Sequence, residues 1–218
     1  MAQTTEQKYS FENPFKTDPL LRRAFPFIKD RKKALDIGCG EGADSVFLAK
    51  KGFLVQAIDN DKTALTRFKA YRYDHKLSDI RIQKHDVVRF PYKESAFDVI
   101  NCLLLICCMR KSDFRKLLQP MKRALKPGGI IILSSRNYLD PKLKEYHATE
   151  KMIEPNTFIK KDDCCRIAYF VEKNELKNAF KDLEILYHFE GMVPCKHKKH
   201  GDHGETHIIC RRPKKYFN

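Results

Sequence analysis

Nine residues at positions 34–42, Ala-Leu-Asp-Ile-Gly-Cys-Gly-Glu-Gly, constrain the fold of this chain more than any other stretch. An apolar run that ends in closely spaced glycines and is followed by a helical pattern is typical of a strand that turns directly into a helix. Glycines in such a turn adopt unusual backbone angles and let a ligand approach the main chain without an intervening Cβ atom. The stretch therefore predicts a strand–turn–helix unit that binds a ligand at its turn.

The rest of the chain repeats this alternation of apolar runs and helical patterns, which is typical of a doubly wound α/β sheet with mostly parallel strands. The predicted strands are 34–37, 53–58, 80–83, 97–102, 130–133, 183–189 and 207–211. The predicted helices are an N-terminal one at 19–28, then 43–51, 61–73, 112–125 and 174–180. Ser112 is the predicted cap of the fourth of these, and residues 126–129 form a predicted turn after it.

The alternation falters between residue 136 and about residue 170, where charges, aromatic residues and two prolines are mixed. We predict a lid-like insertion over the carboxyl edge of the sheet. With no internal repeat and no low-complexity linker in view, residues 1–218 are predicted to form a single domain.

The composition is that of a chain that can bury a core, with 42% hydrophobic and 33% charged residues. No apolar run approaches the roughly 18 residues that a membrane-spanning helix needs. The N-terminus also lacks the charged-then-apolar layout of a signal peptide. We therefore expect a cytoplasmic protein without a membrane partner, whose eight cysteines are free thiols.

The formal net charge of +15 is compatible with an anionic partner. The lysines are scattered through almost every segment rather than gathered in one arm, so general solubility accounts for the excess as well. RNA and an anionic small substrate both stay open as partners. Nothing in the sequence assigns an oligomeric state.

Acidic residues recur at the predicted carboxyl edge of the sheet. Asp36 lies two positions before the first glycine, Asp59 ends the second strand, and Asp86 follows the third. In doubly wound folds, an acid at the end of the second strand hydrogen-bonds ribose hydroxyls. Asp86 lies at the same edge, where an adenine amine can meet it.

The spacing of the glycines separates two kinds of ligand. Dinucleotide binders use G-x-G-x-x-G and place a pyrophosphate on the helix N-terminus. Here the glycines fall at 38, 40 and 42, and the carboxylates of Asp36 and Glu41 flank the turn. Those charges repel a pyrophosphate but suit a ligand with an ammonium group. S-adenosylmethionine (SAM), which carries a sulfonium and an amino group, fits better than a nicotinamide cofactor.

Five segments, in order, resemble the motifs of class I SAM-dependent methyltransferases: LDIGCGEGADSVFLAKKG, VQAIDND, IQKHDVVRFP, FDVINCLLLICCM and LKPGGIIIL. The resemblance implies a seven-stranded sheet whose last strand is antiparallel, with helices on both faces. Within that family the chain is most similar to the small tellurite-resistance-type methyltransferases, through YFVEKNEL before a helix and the ending HGETHIICRRPKK. It departs from them in its long insertion and its many cysteines, so their substrate is not carried over.

The resemblance also implies a set of cofactor-binding residues. In chain order they are Asp36, Gly38, Cys39, Gly40, Gly42, Asp59, Asn60, Asp86, Val87, Cys102 and Leu103. The glycine turn holds the methionine part, with Asp36 supporting its amino end. Asp59 takes the ribose diol and Asn60 flanks the adenine. The segment at Asp86 holds the adenine edge, and the end of the fourth strand presents its backbone at Cys102.

No single residue stands out as catalytic. The sulfonium already activates the methyl group, so transfer depends mainly on alignment, and a base matters only for a protonated nucleophile. The weak candidates near the carboxyl edge are Arg136, Asn137, Tyr138, Arg166, Tyr169, His203 and His207.

Histidines and cysteines offer a second, weaker signal. His197, His200, His203 and His207 lie three, three and four residues apart near Cys195, which is compatible with a metal site. A solvated loop, made flexible by its glycines, or a wall of the acceptor pocket are the alternatives. The pairs Cys107–Cys108 and Cys164–Cys165 fit either ordinary thiols or a site for a soft, thiophilic substrate or metal.

The sequence thus predicts an enzyme that transfers a methyl group from SAM to a small-molecule or metalloid acceptor and releases S-adenosylhomocysteine. Two alternatives stay open: an RNA methyltransferase that uses the basic surface, and a non-catalytic sensor that binds SAM or a metal.

Overall fold

A computed structural model describes residues 16–29, 32–161, 166–194 and 201–214. The helices are α1 (Pro19–Ala24), α2 (Ala43–Lys50), α3 (Lys62–Asp74), α4 (Lys111–Ala124), α5 (Pro141–Thr149) and α6 (Glu175–Ala179), with short 3₁₀ turns at Phe25–Phe27 and Ile106–Cys108. The strands are β1 (Lys33–Ile37), β2 (Leu54–Asp59), β3 (Ile80–Lys84), β4 (Phe97–Leu103), β5 (Leu125–Arg136), β6 (Lys151–Glu154), β7 (Thr157–Ile159), β8 (Ile167–Tyr169), β9 (Glu184–Val193) and β10 (His203–Arg211). Within these ranges, no helix combines the length and the apolar character that crossing a bilayer requires.

Seven strands form one sheet in the order β3-β2-β1-β4-β5-β10-β9. β10 runs antiparallel to both of its neighbours, while the pairs from β3 to β5 are parallel. The chain order reverses between β1 and β4, which leaves a crevice at the carboxyl ends of these two strands. The predicted doubly wound, seven-stranded α/β class is confirmed, including its antiparallel last strand.

Both faces of the sheet are buried, as the apolar central strands require. In β5, Ile130 and Ile132 pack on one face in a core with side chains of α1, α2 and α3. The alternate residues Ile131 and Leu133 pack on the other face with α4 and α6. The helices therefore fix the sheet from both sides and leave its carboxyl edge open.

Two local predictions are wrong. Ser112 does not cap α4, because the helix begins one residue earlier, with Arg110 at the cap position. The predicted turn at residues 126–129 lies within β5. There the pairing shifts from Phe97–Leu125 to Val99–Ile130, so the extra residues form an irregularity in the strand rather than a turn outside it.

The insertion is ordered. Its strands form a three-stranded antiparallel sheet in the order β6-β7-β8, and its small core contains Phe158, Ala168 and Phe170. β8 packs against the 3₁₀ turn that follows β4. The insertion thus stands at the carboxyl edge of the main sheet, where the crevice opens. That it acts as a lid, and that residues 1–218 form one domain, both stay predictions.

A substitution at Gly42 tests how tightly the glycine turn is packed. The φ of Gly42 is +87°, and a Cβ atom there would lie 2.2 Å from the buried ring of Phe68. We expect Gly42→Ala to lower the free energy of unfolding by about 2–4 kcal/mol, because overpacking adds to backbone strain. Chemical denaturation measures it.

Gly52→Ala is the matched control, since Gly52 has a φ of +88° and no atom within 4 Å of an added Cβ. It should cost about 1 kcal/mol, from backbone strain alone. Equal losses for the two variants would contradict the packing role of Gly42.

Candidate functional site

A cleft of about 560 Å³ opens at the carboxyl ends of β1, β2 and β4. It is lined by residues that follow these strands and by the start of α4 and the edge of the insertion. They are Gly38, Gly40, Asp59, Asn60, Asp61, Ala64, Asp86, Val87, Val88, Leu103, Leu104, Leu105, Cys108, Met109, Arg110, Asp113, Arg166 and Ile167. Seven of the predicted cofactor-binding residues are in this lining: Gly38, Gly40, Asp59, Asn60, Asp86, Val87 and Leu103.

The glycine turn forms the floor of the cleft. The N–H groups of Gly38 and Cys39 donate to the carbonyl oxygen of Ile58, at 2.8 and 3.1 Å, which fastens the turn to β2. Gly40 has a φ of +51° and nothing within 4 Å of an added Cβ, so it borders open space. A Cβ on Gly38 would meet Leu105 at 2.9 Å. The turn therefore presents backbone, without side chains, to whatever occupies the cleft.

Asp59 is held in one orientation at the end of β2. Its Oδ2 accepts a hydrogen bond from the Gly40 N–H at 2.8 Å, and its Oδ1 accepts one from the Asp61 N–H at 2.9 Å. Each carboxylate oxygen keeps a further lone pair for a ligand donor. A fixed carboxylate with two free acceptor sites is suited to a pair of adjacent hydroxyls.

The loop after β3 forms a second wall. The Asp86 carboxylate accepts the Val88 N–H at 2.9 Å, and Tyr92 donates its hydroxyl to the Val87 carbonyl at 2.9 Å. Burial raises the pKa of Tyr92, so its hydroxyl stays a donor at neutral pH. Tyr92 was not found from sequence. It lies beyond the motif, and only the folded loop brings it to Val87.

Asp36 lies beneath the turn rather than in the lining. It is 2% exposed and accepts hydrogen bonds from Ser45 Oγ at 2.5 Å and from Asn101 Nδ2 at 2.9 Å. Burial raises the pKa of Asp36, the two hydrogen bonds oppose this, and the charge of Asp59 adds to it. The carboxyl group therefore ties β1 to α2 and β4 and supports the turn from below.

Three other predicted cofactor residues also lie outside the lining: Cys39, Gly42 and Cys102. Cys102 is fully buried. Burial, together with the nearby charge of Asp36, raises the pKa of the Cys39 and Cys102 thiols. Both thiols stay protonated at neutral pH and are poor nucleophiles. Their contact with a cofactor stays a prediction.

The end of β4 carries a strained residue that the sequence did not reveal. Leu104 has a φ of +52°, which is uncommon for a residue with a branched side chain. Its N–H donates to the Ser134 carbonyl at 3.1 Å and to Ser134 Oγ at 3.2 Å, which holds this conformation. Backbone strain of this kind clusters at functional sites. Here it places Leu104 and Leu105 in the cleft wall.

Of the described catalytic candidates, Arg166 lines the cleft. Arg136 instead forms a 2.8 Å ion pair with Asp140. Tyr169 is fully buried in the main core, where burial and the neighbouring Glu175 carboxylate raise its pKa. A group so enclosed does not reach an acceptor in the cleft.

His207 lies in the last strand, β10, as predicted, and His203 also lies in it because the strand begins four residues earlier than predicted. His203 Nδ1 is 3.6 Å from the buried carboxylate of Asp140. His207 Nε2 is 2.8 Å from Glu205 Oε2, and its ring lies against Phe189. Neither histidine is in the cleft lining, so the described structure does not bring them to the acceptor side.

The metal prediction rests largely on positions outside the described residues: Cys195, His197 and His200, and likewise Cys164 and Cys165. Among the residues that are described, no group of three or more His, Cys, Asp or Glu side chains is arranged to hold a metal ion. Cys108 of the Cys107–Cys108 pair lines the cleft.

Comparison with known proteins identifies the family. Residues 28–196, more than three quarters of the chain, match the family described as Methyltransferase domain. The chain belongs to this family. Its predicted membership, its enzyme class and its cofactor, SAM, are confirmed at the level of the family.

One curated relative is a ubiquinone biosynthesis O-methyltransferase from Histophilus somni, 32% identical over 111 residues. The match covers 49% of this chain and 45% of that protein. The chain spans just under half the length of the curated relatives it matches first.

Two solved structures share the fold. A SAM-dependent methyltransferase from Methanosarcina mazei superposes with a TM-score of 0.73 at 19% identity, over 92% of this chain and 100% of that one. TehB from Haemophilus influenzae superposes with a TM-score of 0.67 at 19% identity, over 88% of this chain and 61% of that one.

The residues present fit SAM. The fixed Asp59 carboxylate matches a ribose diol, and the side-chain-free border at Gly40 leaves room beside it. The carboxylates of Asp61 and Asp86 add negative charge to this half of the cleft, which favours a cationic ligand. We call the part of the cleft that these groups border the cofactor half.

We expect Asp59→Ala to weaken SAM binding about tenfold or more, because a charge-assisted hydrogen-bonding group is lost. Calorimetric titration with SAM measures the change. Asp74→Ala, an exposed acid at the end of α3, is the control for loss of one negative charge. Equal affinities for wild type and Asp59→Ala would remove the ribose role of Asp59.

Asp44, in the first turn of α2, gives the fold a pH dependence. Burial, then the charge of Asp36, raises the pKa of Asp44 from 3.8 to about 7, although the Asp18 N–H donates to it at 2.9 Å. The folded state therefore binds this proton more tightly than the unfolded chain. The corresponding stability is present below pH 3.8 and is lost as the pH rises towards 7.

We expect Asp44→Asn to remove this loss. The variant should match wild type near pH 4 and exceed its stability by on the order of 1–2 kcal/mol at pH 8. Urea denaturation across this range measures it, with Asp74→Asn as the charge control. Parallel pH profiles for wild type and Asp44→Asn would show that Asp44 does not titrate in this window.

Proposed function

We propose that this chain transfers a methyl group from SAM to a small-molecule acceptor that binds beside the cofactor half of the cleft. The observation that carries the proposal is the Asp59 carboxylate, held by the N–H groups of Gly40 and Asp61 above a glycine floor. The whole cleft, at about 560 Å³, falls within the usual range of small-molecule sites.

The contribution of the protein is alignment. The acceptor's lone pair forms a bond to the methyl carbon as the carbon–sulfur bond of SAM breaks. The electron pair of the broken bond stays on sulfur, which becomes the neutral thioether of S-adenosylhomocysteine. Leu103, Leu104 and Leu105 border the region between the cofactor half and the insertion. Their apolar side chains exclude water and limit the directions from which an acceptor approaches.

The insertion supports the choice of a small acceptor over a macromolecule. It places Arg166 and Ile167 in the cleft lining, so residues of the insertion bound part of the cleft. A soft metalloid acceptor is the second candidate. It is favoured by Cys108, a cysteine in the lining of the same cleft, because thiols bind soft metalloids.

The proposal predicts SAM consumption with a small acceptor. We expect turnover with at least one member of a panel of thiols, catechols, carboxylates and metalloid oxyanions, followed by release of S-adenosylhomocysteine. Asp59→Ala should lower kcat/KM through weaker SAM binding. Mass spectrometry of the product identifies the methylated atom.

Three results would contradict the proposal in different ways. Failure of wild type to bind SAM removes the cofactor assignment. Tight SAM binding without turnover of any acceptor favours a sensor. Turnover of RNA, with binding that weakens steeply as salt rises, favours a nucleic-acid methyltransferase.

A further inference from the structure

We propose that the acceptor carries an anionic group and that the guanidinium groups of Arg110 and Arg166 bind it. This proposal rests on the proposed function and assigns the chemical class of its acceptor. The feature that carries it is a division of charge within one cleft. Asp59, Asp61 and Asp86 lie in the cofactor half, whereas the arginines border the half next to the insertion.

The backbone at Arg110 is held in place by contacts of the two residues that follow it. Arg110 is the cap residue of α4, and its neighbour Lys111 is 6% exposed and pairs with Glu172 at 2.7 Å and Glu175 at 3.1 Å. The next residue, Ser112, donates its N–H and hydroxyl to Glu154 at 2.9 and 2.7 Å. The backbone that carries the Arg110 side chain is therefore held on both the core side and the insertion side.

Arg166 reaches the same cleft from the insertion. It directly precedes β8, and its carbonyl oxygen accepts the Lys160 N–H at 2.9 Å. Ile167, the next residue, pairs with Ile159 and also lines the cleft. The two arginines are far apart in the sequence and border one cavity only because β8 packs against the turn after β4.

Both guanidinium groups remain available for a ligand. Arg110 and Arg166 are exposed, and neither is within 4 Å of a carboxylate in the described part of the chain. The acid in their half of the cleft, Asp113, pairs with Lys116 at 2.9 Å. Burial raises the pKa of the adjacent Glu154 carboxyl, but the hydrogen bonds from Ser112 and the charge of Arg110 lower it overall, so Glu154 offsets part of the Arg110 charge. In the described residues the guanidinium N–H groups of both arginines nevertheless form no ion pair, and they border an apolar wall.

The surroundings of the arginines indicate the kind of anion. Leu105, Met109 and Ile167 line the same half, so an acceptor with an apolar body and one oxyanion group fits it. Guanidinium groups bind carboxylates and phosphates through paired hydrogen bonds. A long polyanion such as RNA fits less well, since its further phosphates would approach the acids of the cofactor half.

Binding of matched probes to the protein loaded with S-adenosylhomocysteine tests the proposal. The probes are benzoate against benzamide, phenyl phosphate against phenol, selenite as a metalloid oxyanion, and a 20-nucleotide RNA. The proteins are wild type, the double variant Arg110→Gln/Arg166→Gln, and two control variants, Arg81→Gln and Arg72→Gln. Both control residues lie near β3 and border a separate depression.

We expect wild type to bind at least one of the anions about tenfold more tightly than a neutral probe. The double variant should lose this preference, while its affinity for S-adenosylhomocysteine stays within about twofold of wild type. The control variants should keep both properties. The carboxylate, phosphate and selenite arms then show which oxyanion the site takes.

The possible failures are distinguishable. If wild type does not bind S-adenosylhomocysteine, the proposed function itself is wrong. If it binds but shows no anion preference, or if the preference survives in the double variant, only the acceptor assignment is wrong. RNA that binds more tightly than every small anion, in a manner that depends on both arginines, overturns the assignment in favour of a nucleic acid.

Discussion

The cofactor half of the cleft depends on the hydrogen bonds that the buried carboxyl group of Asp36 accepts. This group joins the end of β1 to α2 through Ser45 and to β4 through Asn101, at the point where the strand order reverses. Both donors are buried, so losing the acceptor would leave them unsatisfied at a cost of several kcal/mol in total, at about 1–3 kcal/mol each. The glycine turn that rests on Asp36 in turn places the Gly40 N–H that orients Asp59.

The main sheet was predictable because its signals are local and repeated. Each buried strand is a short apolar run that ends at a turn residue or an acid. Directly after it, the spacing of the apolar residues changes to that of a helix. The insertion gave no such signal. β6, β7 and β8 are only three or four residues long, and β6 contains charged side chains. The three strands are stabilised by pairing with one another and by the core around Phe158 and Phe170. Contacts of that kind do not show in a linear pattern.

The site divides in the same way. Asp59, Asp86 and the glycines were predictable, because neighbouring parallel strands bring their carboxyl ends to one edge. Arg110 was not, since it is one of 43 lysines and arginines and its position depends on packing between distant segments.

Gly204 led to a wrong interpretation. It suggested a flexible loop, yet an added Cβ there would lie 2.2 Å from the Asp140 backbone nitrogen. The glycine serves close approach within β10, and the histidines beside it belong to a strand.

The contact between Ser112 and Glu154 has a consequence for how the two halves of the cleft form. Glu154 follows Ser112 by 42 positions, so the first turn of α4 receives its acceptor only after the insertion has folded. The glycine turn and Asp59, by contrast, come from consecutive elements with short loops between them. The Asp59 side still needs a distant contact of its own, since Asn101 donates to Asp36 across 65 positions. The two sides of the cleft thus depend on different long-range hydrogen bonds, and a substitution that breaks one of them leaves the other in place.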